Sequence, residues 1–374
     1  MIKVKERLCY LSMLVVNRLK GVDKNKFFFI GMGGNYCDNA RAVSERLHER
    51  YPNSNIYWFF YNNFSNDPHI PKYVHPVTSL SSMYINMATA KYWFVCGVLH
   101  FGLYKSKKQV YVNMWHGDRG FKKVLNDKLV GKAAEADTFE TKYCDLMTSG
   151  SDIFNRKART AFRYFGKLLQ CGSPRCDLLL KKDELRYNRI KKELNIQDGI
   201  KILLYAPTFR DNNKYSQKEN VDIDRVLSCL EKKTSEEWIC LGRFHPMTRG
   251  RNTFNNKKII DVTGYFDMVD LLYVSDILLT DYSSSAGDFI LKNKPVLIYQ
   301  ADRNDYVKND RQFYFKIEDS PYWIAKSQDE LENLINGMTE ENVRQNCKDV
   351  YEFFGSHETG HAADSLIDYL MQKS

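Results

Sequence analysis

At four places in this 374-residue sequence, side chains able to move a proton or hold a phosphate directly follow an apolar run. Residues 201–205 lead into Ala206-Pro207-Thr208-Phe209-Arg210. Residues 238–241 lead into Arg243-Phe244-His245-Pro246, and residues 277–279 into Thr280-Asp281-Tyr282-Ser283-Ser284-Ser285. In the first half, residues 109–114 lead into Trp115-His116-Gly117. Short apolar runs of this kind read as buried strands. Open α/β sheets gather their ligands outside the carboxyl ends of such strands. An Arg offers a planar fork for a phosphate, and a His titrates near neutrality. A cluster of Ser and Thr caps a helix whose first N–H groups face an anion. Each feature alone has an ordinary structural reading. Serine caps occur in any α/β protein, and a lone His beside a Gly more often completes a turn. Three polar strand ends in succession, which a parallel sheet gathers on one edge, point to a nucleotide-diphosphate site.

The elements that must position these residues alternate between strand and helix. The most compact is residues 275–302. It has a strand at 277–279, cap residues at 280–285, a helix at 286–292 and a second buried strand at 295–299. A helix at 268–274 leads into it. In the first half a strand from Lys26 enters the turn Gly31-Met32-Gly33-Gly34. The spacing fails the dinucleotide-binding fingerprint, because Tyr36 stands where the third Gly belongs. A tight turn beside a ligand remains compatible with it. Helices are expected at 38–50 and 152–164, and strands at 56–61, 92–98, 109–114, 144–148, 201–205, 238–241 and 259–262. The stretch 183–200, charged and helical in pattern and then polar, marks a connection between domains. The polar loop 211–220 is expected at the surface. Tail helices are expected at 340–353 and 362–373. The expected division is an N-terminal domain over 1–185, a second domain over 195–350, and a C-terminal piece, 351–374, that packs back on the first. The class is α/β, with two Rossmann-like domains facing across a cleft, nucleotide on one side and acceptor on the other. That arrangement suits a transferase.

Composition narrows the partners. The hydrophobic fraction of 43% marks a globular chain. The net charge of +9 suits a phosphate-bearing ligand or an anionic membrane surface equally. Nucleic acid is set aside, because no RNA- or DNA-binding signature accompanies the aromatic content of 14%. Nine scattered Cys without a CxxC read as reduced thiols with no zinc site, and no HExxH occurs among the eight His. Residues 1–20 carry an apolar stretch at 8–16 between basic flanks. It is too short to span a bilayer, which needs about 20 apolar residues. It reads either as a core helix or as a basic amphipathic helix lying on the membrane.

Five stretches occur in order: WHG at 115–117, GSPRCD at 172–177, YAPTFR at 205–210, RFHP at 243–246, and TDYSSSAGDF at 280–289, followed by KPVLIY. With Tyr36-Cys37-Asp38-Asn39 they resemble the CDP-glycerol glycerophosphotransferase family, bacterial enzymes that make teichoic acid and related polyol-phosphate polymers. The resemblance runs from about residue 27 to the end. It implies a GT-B fold, transfer of glycerol phosphate from CDP-glycerol with release of CMP, and peripheral attachment to the cytoplasmic face of the membrane. It implies that His116 is the catalytic base and that His245 is a second catalytic group. The CDP donor would be held by Thr208, Arg210, Arg243, His245, Thr280, Asp281, Ser283, Ser284 and Asp288. The acceptor side would comprise Gly33, Asn39, Trp115, Gly117, Arg119 and Lys122. After WHG the family usually continues Thr-Pro-Leu-Lys. Here the sequence reads Asp118-Arg119-Gly120-Phe121-Lys122, which leaves the acceptor's identity open. The chain lacks the long N-terminal extension of the large polymerases and is similar to compact, primase-like or capsule-associated members.

In that reaction an acceptor hydroxyl attacks the phosphorus bearing the glycerol. The protein's part is alignment and charge stabilisation. The partners implied are CDP-glycerol or a related CDP-polyol, a lipid-linked saccharide or polymer acceptor, and an anionic membrane surface. No cofactor is expected. No acidic cluster calls for a metal. Asp281 and Asp288 read equally as a turn cap and a helix-face contact. Two rivals use the same scaffold: a GT-B glycosyltransferase or epimerase acting on a nucleotide sugar, for instance in capsule synthesis, and a non-catalytic lipid- or polymer-binding protein.

Overall fold

The computed structural model describes residues 4–61, 67–208, 221–244, 257–303 and 312–372. Arg210, His245 and the loop 211–220 lie outside these residues. The chain forms two compact units. The first comprises residues 1–118, 124–177 and 357–374, and the second residues 119–123 and 178–356. The first unit therefore closes after Asp177, short of the expected 185. Residues 184–193 form the helix Glu184–Glu193, in keeping with the helical pattern expected there. Arg186 of that helix pairs with buried Asp270 at 2.7 Å, inside the second unit. The last helix, Ala362–Met371, belongs to the first unit.

The strands of the first unit are β1 (Asp23–Ile30), β2 (Asn55–Phe59), β3 (Val74–Val77), β4 (Ala90–Val95), β5 (Val110–Asn113), β6 (Leu146–Thr148) and β7 (Lys167–Leu169). They pair in the order β3-β2-β1-β4-β5-β6-β7, with every pair parallel. Parallel pairing forces helical crossovers, so both faces of the sheet are covered and the inner parts of its central strands are apolar on both sides. The three consecutive phenylalanines of β1 show this. Phe27 and Phe29 pack in a core with Val43 and Leu47 of the helix Asp38–Arg50 and with Leu366, Ile367 and Leu370 of the last helix. Phe28 and Ile30 point the other way, into a core with Met13, Met83 and Met87.

The second unit contains β8 (Lys201–Ala206), β9 (Trp238–Gly242), β10 (Ile259–Asp261), β11 (Ile277–Thr280), β12 (Val296–Tyr299) and β13 (Trp323–Ala325). Their order is β10-β9-β8-β11-β12-β13, again parallel throughout. Both sheets reverse their winding once, between β1 and β4 and between β8 and β11. Ligand crevices form at such reversals.

The first helix, Val4–Lys20, packs one face on the first unit and leaves apolar residues of another face exposed. Met13 is fully buried, and the Asn17 amide donates to the Ala88 carbonyl at 2.6 Å. Leu8, Leu11, Val15 and Leu19 are exposed by 62, 51, 52 and 80%. At 100° per residue these four share an arc of about 80°. Exposed Arg7 and Arg18 border that arc.

Candidate active site

In the first unit the polar residues collect where the winding reverses. The turn after β1 needs Gly33 at φ 61° and Gly34 at φ 76°, and a Cβ on Gly34 would run into the Tyr61 ring. This turn brings Asn39 to the loop after β5. The Asn39 amide donates to the carbonyls of Met114 (2.9 Å) and Trp115 (2.8 Å), and its oxygen accepts the Arg175 N–H at 3.0 Å. Asn39 is 1% exposed, so it serves as a clamp on the loop and offers an acceptor no free amide. Trp115 is held at φ 44°, a conformation that a bulky side chain adopts only under constraint from its surroundings. Its indole lies against the His116 ring, with centroids 4.1 Å apart.

The imidazole of His116 is fixed from the other side. Its Nδ1 lies 3.0 Å from the carbonyl oxygen of Cys96, just past β4. A carbonyl only accepts, so Nδ1 carries the hydrogen, and the neutral ring keeps its lone pair on Nε2. The ring is half-buried. Burial pulls its pKa down to about 4; the Cys96 carbonyl opposes this, and the nearby Arg175 charge adds to it. His116 is therefore a neutral acceptor throughout the physiological range. Half-buried Gly117 leads to Asp118, whose carboxylate ties three loops together. It accepts the Gly150 N–H at 2.7 Å, the Ser151 hydroxyl, and the Ser173 hydroxyl at 3.4 Å. The Asp118 carbonyl accepts Lys157 Nζ at 3.0 Å.

Two residues of this cluster escaped assignment from sequence. Asp118 directly follows the WHG stretch, and Arg175 sits in the GSPRCD stretch, 59 positions after His116. The Arg175 side chain is 5% exposed and lies 3.5 Å from the Asp38 carboxylate. An Arg among the small turn residues of that stretch marks it in sequence, but only the fold shows that it is buried near His116.

In the second unit the ends of β8 and β11 are pinned to each other. The Thr280 hydroxyl donates to the Ala206 carbonyl at 2.6 Å, and both Asp281 oxygens accept the Thr208 N–H, at 2.9 and 3.0 Å. The expected donor contacts Thr280 and Asp281 thus use their side chains to hold the strand ends and present Thr208. Ser283 and Ser284 are half-buried, with the Ser283 hydroxyl 2.8 Å from that of Ser285. The helix behind them runs only over Ser285–Phe289 before tightening into a 3₁₀ turn, so its dipole is short. Arg243 is half-buried just past β9, with its N–H on the Tyr205 carbonyl at 2.8 Å.

Three of the expected site residues, Arg119, Lys122 and Asp288, are placed in the second unit. Arg119 and Lys122, expected on the acceptor side, belong to the second unit. Arg119 is fully buried, donating to the Gly287 carbonyl (2.8 Å) and to Asp288 (2.7 Å). Gly287 has no room for a Cβ, which would strike the Arg119 side chain. Asp288, expected to contact the donor, is therefore neutralised within the protein. Lys122 bridges to Phe313 through its backbone. Among the described residues no group of three or more His, Cys, Asp or Glu is placed to hold a metal ion.

Two parallel sheets of Rossmann order, each with polar residues where its winding reverses, define a GT-B-like protein. The CDP-Glycerol:Poly(glycerophosphate) glycerophosphotransferase family matches residues 12–372, and the chain belongs to that family. It is 29% identical to the teichoic acid glycerol-phosphate transferase of Staphylococcus aureus, over 99% of this chain and 98% of that one. It is 28% identical to the teichoic acid poly(glycerol phosphate) polymerase of Staphylococcus epidermidis, covering 98% of this chain but only 53%, about half, of the polymerase. The solved wall teichoic acid polymerase TagF superposes with a TM-score of 0.83 at 26% identity, covering 99% of this chain and 94% of that one. A UDP-GlcNAc 2-epimerase from Neisseria meningitidis shares the fold at a TM-score of 0.53 and 12% identity, over 93% of this chain and all of that one.

Proposed function

We propose that this chain transfers glycerol phosphate, or a related polyol phosphate, from a CDP-activated donor to a hydroxyl of a membrane-linked saccharide or polymer, releasing CMP. The observation that carries the reading is the state of His116: neutral, with its tautomer fixed by the Cys96 carbonyl, and its Nε2 lone pair free to take a proton. The acceptor oxygen attacks the phosphorus that bears the glycerol. As the new P–O bond forms, the bond to the CMP oxygen breaks and the acceptor proton passes to Nε2. The leaving phosphate takes up the bonding electrons. The neutral ring is the form able to take a proton, although its pKa of about 4 lies below the near-neutral value that suits a general base best. Thr208, Arg243 and the hydroxyls of Ser283 and Ser284 are the described groups that would hold the donor. His245 and Arg210 join them by family motif.

The acceptor side faces a membrane in this reading. Among the described residues no helix is long and apolar enough to cross a bilayer. The exposed stripe Leu8-Leu11-Val15-Leu19, bordered by Arg7 and Arg18, is built to lie in the interface of an anionic leaflet, peripherally and on the cytoplasmic side.

Donor choice tests the reading against the nucleotide-sugar rival. Calorimetric titration and CMP-release assays are run with CDP-glycerol, CDP-ribitol, UDP-glucose and UDP-N-acetylglucosamine. The expected result is binding and turnover of a CDP-polyol alone. Binding of a UDP-sugar without CDP-polyol binding would remove it.

A further inference from the structure

The first unit holds a cavity of about 670 Å³ that the phosphoryl-transfer step as derived leaves unused. This is within the size range of pockets that enclose small ligands, about 300–1,000 Å³. Its carbon walls are Val98, Leu99, Phe101, Leu125, Leu129 and Phe139. We propose that this cavity binds an uncharged saccharide, the sugar portion of the acceptor. The inference rests on the glycerophosphotransferase reading and names which kind of acceptor the chain takes.

Position is the first argument. Cys96, whose carbonyl holds the His116 imidazole, opens the loop that carries Val98, Leu99 and Phe101 on the cavity wall. An occupant there sits on the same loop that orients the base.

Charge is the second. The ionisable side chains on the lining are Glu6, Glu140, His100 and Lys142. Lys142 is the one fixed cation among them, and it already lies 3.4 Å from Asp137 and over the Phe101 ring at 5.5 Å. A polyol-phosphate chain carries one negative charge per unit and would meet two carboxyls with no positive surplus, so such an anion is disfavoured. A neutral sugar brings no charge to compensate.

Glu140 is the third. It is 1% exposed, and its Oε1 accepts the Leu99 N–H and the Tyr111 hydroxyl, both at 2.9 Å. Its Oε2 is buried and has no hydrogen-bond partner among the described residues. Burial raises its pKa, chiefly through desolvation, against the lowering influence of the Leu99 N–H, its own N–H and the Tyr111 and Thr138 hydroxyls. A buried carboxyl with one oxygen unmatched calls for a group that can both donate and accept. A sugar hydroxyl does both, whereas a phosphodiester oxygen only accepts. Carbon walls with a few polar groups also match the C–H faces and hydroxyl edges of a pyranose.

The test uses the full chain and five probes: methyl β-D-glucoside, methyl N-acetyl-β-D-glucosaminide, methyl β-maltoside, octanol and a glycerol-phosphate trimer. Saturation-transfer NMR and calorimetry read binding. Leu129→Trp and Val98→Trp fill the cavity from two rim positions that are 47% and 46% exposed, so each variant has room to fold. Thermal melting and CDP affinity check that it has. The expected result is that at least one glycoside binds, that both substitutions weaken it tenfold or more, and that CDP affinity is unchanged. Three results would overturn the proposal: no glycoside binds, glycoside binding survives both substitutions, or octanol or the trimer takes the cavity in preference. CMP release from CDP-glycerol in the same preparations separates the two levels of the account. Acceptor-dependent turnover without glycoside binding removes the cavity site and leaves the reaction standing. No CMP release with any acceptor removes the reaction itself.

Discussion

The fold holds the His116 ring neutral, and acid therefore destabilises the native state. The ring falls from 6.5 to about 4 on folding. At about 1.4 kcal/mol per unit this is a differential of about 3 kcal/mol between the two protonation states, reduced toward about 2 because the ring is only half-buried. The sign follows from linkage. The folded pKa lies below the unfolded one, so the fold favours the neutral ring. Above pH 6.5 neither state is protonated and His116 leaves stability unchanged. As the pH drops from 6.5 toward 4 the unfolded chain takes the proton first, and the native state loses up to those 2–3 kcal/mol. Ring NMR of histidine-labelled protein, with His116→Gln to assign the resonance, reads this directly. The His116 signal should stay in the Nδ1–H neutral form from pH 8 to pH 5. Denaturant unfolding should show the acid loss in the native chain and a smaller loss in His116→Gln. A titration midpoint near 6.5, or an Nε2–H tautomer, would refute the reasoning.

Other substitutions probe the supports of the site. Asp288→Asn leaves the Arg119 guanidinium buried without its counter-charge and should lower unfolding stability by about 3–5 kcal/mol; a loss under about 1 kcal/mol would mean that the pair is hydrated. Asn39→Ala strips the Met114 and Trp115 carbonyls and the Arg175 N–H of a buried partner. It should reduce kcat at least tenfold with CDP affinity unchanged, whereas an unchanged kcat would show that the His116 loop holds without the clamp. The double change Leu11→Glu and Leu19→Glu should abolish sedimentation with phosphatidylglycerol vesicles while leaving the melting temperature intact. Retained sedimentation would place the membrane contact elsewhere.

Strand ends were readable from sequence because each apolar run stops at residues a strand interior rejects. Thr208, Arg243 and Thr280 stand at or within three residues of β8, β9 and β11 accordingly. The short edge strands β3, β7 and β13 were not read. They are three or four residues long, too short for a period to show. Side chains of the right type also have partners within the protein. Thr280 and Asp281 look like phosphate contacts, yet their nearest unmet hydrogen-bonding groups are the Ala206 carbonyl and the Thr208 N–H. Arg119 follows His116 by three positions but belongs to the other unit, because the chain changes units between Asp118 and Arg119. Adjacency in sequence carries no information about such a crossing. Arg175 stayed hidden for the converse reason, since only the fold brings it near His116.

The central claim is that His116 removes the acceptor proton while the second unit holds the donor. The most direct test is CMP release from CDP-glycerol with a lipid-linked saccharide acceptor, comparing native protein with His116→Ala and measuring CDP affinity on the same samples. The account predicts a fall in turnover of about 10²–10⁴ with CDP affinity unchanged. Full turnover in His116→Ala, or loss of CDP binding in proportion to turnover, would contradict it.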